Sequence, residues 1–151
     1  MKKFCVIFFG LLLILQNASA LTQQFNSNPK NYNVKLQIFE DSNTVAEFMV
    51  AIADNDAKRE YGLMNLGALG RKHGMLFVFD HNQVINMWMK NTKIPLDMIF
   101  IDENDVIVNI KENATPQSLE VISSGKKARK ILEINGGLSQ SFGIKIGQKI
   151  R

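Results

Sequence analysis

Sulfur chemistry is nearly absent from this chain of 151 residues, whose single cysteine is Cys5. One cysteine forms no internal disulfide, no multi-thiolate metal site and no Cys-x-x-Cys redox motif. Proline (three) and glycine (ten) are also few, which excludes collagen-like and mucin-like chains. His73 and His81 are not at metal-ligand spacing. No G-x-S-x-G elbow, phosphate loop or dinucleotide-binding glycine pattern occurs. The one long apolar run, Phe4 to Leu15, falls short of the ~20 residues that cross a bilayer. With 46% apolar and 21% charged residues, the composition is that of one ordinary globular domain.

Lys2 and Lys3 precede the apolar run, and Ala18-Ser19-Ala20 follows it. Basic residues, a short apolar core and a small-residue cleavage site, in that order, are a secretory signal peptide, expected over residues 1–20. Removing 20 of 151 residues leaves 131, and losing Lys2 and Lys3 takes the charge from +4 to +2. Cys5 leaves as well, and it lies ahead of the apolar core rather than at the cleavage site where a lipoprotein needs it. The expectation is an exported protein of the periplasm or cell envelope, or alternatively a secreted one, with no membrane span in its mature part.

Residues 21–32 (LTQQFNSNPKNY) lack periodicity and read as a flexible arm, so the domain is expected over 33–151. Alternation dominates from there. Val34, Leu36 and Ile38 share one strand face, and Ala46, Phe48, Val50 and Ile52 share another, with turn residues Asp41-Ser42-Asn43 between them. Asp54 or Asn55 caps a short helix running to Met64. Gly74 to Phe79 is a continuous apolar run, as in a strand buried on both faces; Val84 to Lys90 follows after a loop at residues 80–83. Leu96 to Ile101 and Val106 to Lys111 flank Asp102-Glu103-Asn104-Asp105, a tight turn with Asn104 suited to the left-handed conformation. Lys130 to Ile134 is a late strand, and Ile144 to Ile150 closes the chain. About eight strands with one or two short helices predict a mainly β (α+β) single domain, a compact β-barrel or rolled sheet.

The stretch from Met87 to Phe100 places the only Trp beside Lys90, Asn91 and Thr92, ahead of Pro95 and Asp97. An apolar platform with a few placed polar groups is how ligand pockets are lined. The plainer alternative is that Trp88 fills the barrel and Lys90 to Lys93 is a solvated turn. Asp97 falls on a strand face with Ile99 and Ile101, and Glu133 lies between Leu132 and Ile134, so either acid is a candidate for burial with a cationic partner. Arg59 and Lys90 are the candidate cations. Asp97 and Glu133 in one cleft would make an acid/base pair. Met87, Met89 and His81 offer soft ligands to Cu(I), yet both Met residues share a strand face with Ile85, as core residues do. The basic patch Lys126, Lys127, Arg129 and Lys130 is short and reads as a solvated loop.

Several segments together resemble the DUF192 family (UPF0127), small bacterial and archaeal proteins of unestablished function. They are Arg59 with Gly62-Leu63-Met64, Gly74-Met75-Leu76-Phe77-Val78-Phe79, Trp88-Met89-Lys90-Asn91-Thr92-x-Ile94-Pro95-Leu96-Asp97-Met98-Ile99-Phe100-Ile101, Leu132-Glu133, Gly137 and Gly143-Ile144-x-x-Gly147. The resemblance runs from about Val34 to the C-terminus and implies a mainly β domain with short helices, often behind an export signal. It also implies that the Trp88 to Asp97 stretch is a signature rather than an ordinary turn. Met87 stands where the family has an aromatic residue, and Gln148 where it has an acid. The expected function is binding of a polar or anionic small molecule or envelope component by Arg59, Trp88, Lys90, Asn91, Asp97 and Glu133. No cofactor, metal or nucleic acid is expected, and the protein is expected to be a monomer. The alternatives are a hydrolase or lyase using Asp97 and Glu133, and a structural domain offering a sheet edge to a partner.

Overall fold

The alternating segments Val34–Glu40 (β1) and Asn43–Ala53 (β2) pair as an antiparallel hairpin in the computed structural model, which describes residues 31–151. The expected signal peptide and residues 21–30 of the expected arm lie outside the described residues. Tyr32, expected in the arm, already packs on the domain, its ring stacked 4.7 Å from that of His73.

After β2 the chain does not form another hairpin. It crosses over through a short helix, α1 (Asp56–Tyr61), and returns as β3 (His73–Met87), parallel to β2. Asn55 caps α1 by accepting a hydrogen bond from the Lys58 N–H at 3.0 Å, and the helix stops at Gly62, whose φ of 48° favours glycine. The remaining strands are β4 (Leu96–Ile101), β5 (Ile107–Ala114), β6 (Ile122–Asn135) and β7 (Lys149–Ile150), with a second short helix, α2 (Leu138–Phe142), before β7. The sheet order is β5-β4-β6-β3-β2-β1-β7. β7 pairs with β1 and also bridges Val106 through Lys149, so the sheet curls until its two ends meet. The fold is a single mostly β domain, a curled seven-stranded half-barrel, as the alternation predicts.

Three local expectations are corrected. Residues 80–83 do not separate two strands: β3 runs through them, with register breaks between Val78 and Gln83 and between Val84 and Asn86. The backbone there is satisfied by the buried hydroxyl of Ser124, which accepts from the Ile85 N–H at 2.9 Å and donates to the Lys126 carbonyl at 2.6 Å. The basic patch is not a loop but the middle of β6. In the acidic turn, Asp105 rather than Asn104 is left-handed, with φ of 64°, while Asp102 accepts from the N–H groups of Asn104 and Val106. The turn is thus closed by an Asx interaction at its first position.

The sheet buries both faces. One face turns into the half-barrel and carries Ile38, Phe48, Val50, Leu76, Ile99, Ile101, Leu132 and Ile134, closed by Leu138 and Ile144 around α2. The other face carries Met75, Phe77, Met98, Phe100 and Ile131 and is covered by the crossover segment through Leu63, Leu66 and Leu69. Gly74 sits where β3 passes β6, and a Cβ there would lie 2.7 Å from the Glu133 carbonyl oxygen. Gly74→Ala must push the two central strands apart, and a loss of roughly 1–3 kcal/mol is expected in urea unfolding. An unchanged midpoint would show that the strands part without cost.

Candidate functional site

Alternation along β4 and β6 decides where the two candidate acids go. Asp97 pairs across the ladder with Ile134, and Met98 pairs with Glu133. Directly opposed residues share a face, so Asp97 points into the half-barrel and Glu133 points to the face under α1. The sheet separates them, and they do not form an acid/base pair.

Asp97 is fully buried and holds backbone together. Its Oδ1 accepts from the N–H groups of Asn113 (2.8 Å) and Gly137 (2.9 Å), and its Oδ2 accepts from Ser139 N–H (2.7 Å). Gly137, the residue before α2, has no side chain to cap the helix, so the carboxylate from β4 does so instead. The expected cationic partner is replaced by three peptide N–H donors.

Asn91 holds a turn position beside the cavity wall, its side-chain amide 3.9 Å from the Met64 sulfur. It is exposed, takes the left-handed conformation at φ of 57°, and accepts the Asn65 N–H on its carbonyl at 2.9 Å. Asn tolerates that conformation better than most residues. Around it, Met89 is fully buried, and the backbone is tied to the loop after β5 by Met89 N–H to Ser118 O and Gln117 N–H to Thr92 O. The W-M-K-N-T segment is a pinned turn whose buried plug is Met89, with Trp88 and Lys90 projecting on either side. Gln148 is buried and brackets the last turn, accepting from Lys145 N–H and donating to Gly143 O.

The other four candidates come together. Arg59, Trp88, Lys90 and Glu133 line a cavity of about 370 Å³ between α1, the middle of β3 and the Trp88 turn. Its walls are mainly apolar, from Leu63, Met64, Phe77, Phe79 and Met87, with Tyr61 and Val121 also on its lining. Trp88 does not fill the barrel; it stands 48% exposed, with the Lys90 ammonium 5.1 Å from its ring centroid. Arg59 is held firmly: it donates to Val78 O at 2.7 Å and to Asp56 Oδ1 at 2.6 Å, and stacks 5.2 Å from the Phe79 centroid.

Glu133 is the exception to all this pairing. It is 4% exposed, and no hydrogen bond or ion pair to its carboxyl occurs among the described residues. Burial pushes its pKa up to about 8, so at neutral pH it holds its proton. A neutral carboxyl can both donate and accept a hydrogen bond, and this one does neither among the described residues.

Sequence reasoning missed Tyr61, Phe77, Phe79 and Met87 as lining residues. The alternation Phe77, Phe79 was visible, but that this face is roofed by a helix follows only from the parallel β2–β3 crossover. Met87 lines the cavity while Met89 is buried and His81 is exposed, so the three potential soft ligands do not converge.

A mostly β domain of one curled sheet, with an aromatic-rimmed cavity floored by an unpaired acid, is the class that fold and site define. Crystal structures of two similar proteins share the fold. A protein of unknown function from Novosphingobium aromaticivorans is 34% identical, with a TM-score of 0.75 over 78% of this chain and 84% of its own. A protein described as a candidate transcription regulator from Sinorhizobium meliloti is 36% identical, with a TM-score of 0.74 over 78% of this chain and 91% of its own. The model of the DUF192 family, "Uncharacterized ACR", matches residues 37–151, and the chain belongs to that family. No functionally curated protein matches it.

Proposed function

We propose that this protein is an exported domain of the periplasm or cell envelope that binds a small polar or anionic ligand in the cavity beneath α1. The observation that carries the binding reading is Glu133: a buried carboxyl with no partner costs folding free energy, and it lines a cavity rather than packed core. Arg59 and Lys90 bring positive charge to the same cavity, and the half-exposed Trp88 offers a flat apolar face at its edge. Export rests on the N-terminal pattern of Lys2-Lys3, apolar run and Ala18-Ser19-Ala20. N-terminal sequencing of the protein recovered from the envelope checks it: a start at Leu21 is expected, and a start at Met1 contradicts cleavage.

The sheet-edge alternative has the outer edge of β5 beyond Ile107 to offer, since β7 ties β1 only to the start of β5, but it gives no account of the cavity or of Glu133. The regulator description of the Sinorhizobium relative would call for a basic surface; in the patch on β6, Lys130 is paired with Asp105, while Lys126, Lys127 and Arg129 are exposed. Binding is tested by a thermal-shift screen of residues 21–151 against sugars, organic acids, metals and peptidoglycan fragments, repeated on Trp88→Ala and Lys90→Ala. Both side chains are exposed, so each variant is expected to keep Tm within about 2 °C. A stabilising compound should lose at least tenfold in affinity in both. A compound that binds equally to both variants would place its site elsewhere.

A further inference from the structure

We infer that the ligand is a small monocarboxylate with an apolar body, whose carboxylate takes the hydrogen bond that the Glu133 carboxyl makes to no other described residue, with Lys90 balancing its charge. This rests on the reading of the cavity as a binding site and adds the chemistry of the occupant.

Three ligand charges can be weighed against the same cavity. An ammonium ligand gains charge attraction only from ionised Glu133, and at pH 7 only about a tenth of it is ionised, given its position near 8. It would also meet the Lys90 ammonium on the same lining, where Glu60 is present as well and Arg59 is already paired with Asp56. A neutral alcohol bonds to Glu133 but leaves the Lys90 ammonium without an opposite charge, and Lys90 has no carboxylate partner among the described residues. A carboxylate satisfies both. It accepts from the protonated Glu133, as paired carboxyl groups do when one proton is shared between two acids, and it is attracted by Lys90. The apolar body follows from the walls, which are Phe77, Phe79, Leu63 and Met87.

The charged groups around Glu133 are Arg59 and Glu60 from α1, Lys90 from the turn, His73 on β3 and Lys111 on β5, which share its sheet face, and Arg129 further along β6. Any of them can add pH dependence of its own. Glu133→Gln separates them, since Gln keeps an N–H donor at the same place and cannot ionise. Whatever pH dependence survives in that variant belongs to the neighbours.

Isothermal titration with phenylacetate, 2-phenylethanol and 2-phenylethylamine, on wild type and Glu133→Gln between pH 6 and pH 9, tests the inference. Phenylacetate should bind tightest, and its Kd for the wild type should rise about tenfold from pH 7 to pH 9 as Glu133 ionises. In Glu133→Gln that rise should fall below twofold, with phenylacetate still bound at pH 9. Preference for the amine, an identical pH profile in the variant, or no binding of phenylacetate each overturns the inference. If phenylacetate fails while another compound of the wider screen binds through Trp88 and Lys90, the monocarboxylate is wrong and the binding site stands. If nothing in either set binds, both fall.

Discussion

Glu133→Gln is expected to be more stable than the wild type, by roughly 3 kcal/mol at pH 7 and about 10 °C in Tm. In the folded chain Glu133 keeps its proton up to about pH 8, whereas a free glutamate releases it near 4.5. Between those values the folded state binds one more proton than the unfolded state, so stability falls as pH rises. The penalty is absent below pH 4.5, grows through neutrality, and levels off above pH 8 at something on the order of 4–5 kcal/mol. Gln has nearly the same shape and no charge to bury, so the variant escapes the penalty and its advantage should widen from pH 5 to pH 8. Urea unfolding of both proteins across that range measures it. A constant difference between the two at all pH values would mean that Glu133 is paired or solvated, and the case for a functional acid would fail with it. A gain in stability from removing one group is characteristic of binding and catalytic sites, where selection retains groups that folding alone would discard.

Asp97 gives the opposite result. Asp97→Ala removes one carboxylate and strands three peptide N–H groups, on Asn113, Gly137 and Ser139. Each unsatisfied buried donor costs about 1–3 kcal/mol, and hydrogen bonds to a carboxylate lie at the strong end, so a loss of roughly 4 kcal/mol is expected. That is a large part of the 5–15 kcal/mol that holds a typical domain together. Asp97→Asn keeps an oxygen for two of the three donors and sets an amide N–H against the third, so about half the loss is expected. Equilibrium urea unfolding separates the three proteins. Equal stability of Asp97→Ala and wild type would show that water replaces the carboxylate, and the assignment of Asp97 to the fold would be wrong. The two acids, both buried, thus respond to loss of charge with opposite signs because one is fully hydrogen-bonded and the other is not.

Much of the sheet was legible because burial on alternate faces writes itself into sequence with period two. Val34 to Ile38 and Ala46 to Ile52 read as strands for that reason, Gly74 to Phe79 as a continuous apolar run buried on both faces, and Asp102 to Asp105 as a turn from its Asp and Asn residues. The parallel pairing of β2 with β3 was not legible, since strand pattern does not record the direction of a neighbour. The cavity was hidden with it: Phe77 and Phe79 face a helix only because the crossover lays α1 on that side. Asp97 and Glu133 looked alike in sequence, each set among apolar residues in a strand. Their difference comes from register, which opposes Asp97 to Ile134 and Glu133 to Met98, and register depends on the whole sheet. Trp88 and Lys90 were found because their residue types exceed what a turn needs. Asn91 was singled out on the same ground, and the structure gives it a left-handed turn position that asparagine suits.

The most direct measurement is the titration of the Glu133 side-chain carboxyl, followed by its carbon-13 chemical shift from pH 4 to pH 10. A midpoint near 8, moving upward when phenylacetate is present, is the predicted result. A midpoint near the ordinary value of 4.5, unmoved by phenylacetate, would contradict the account.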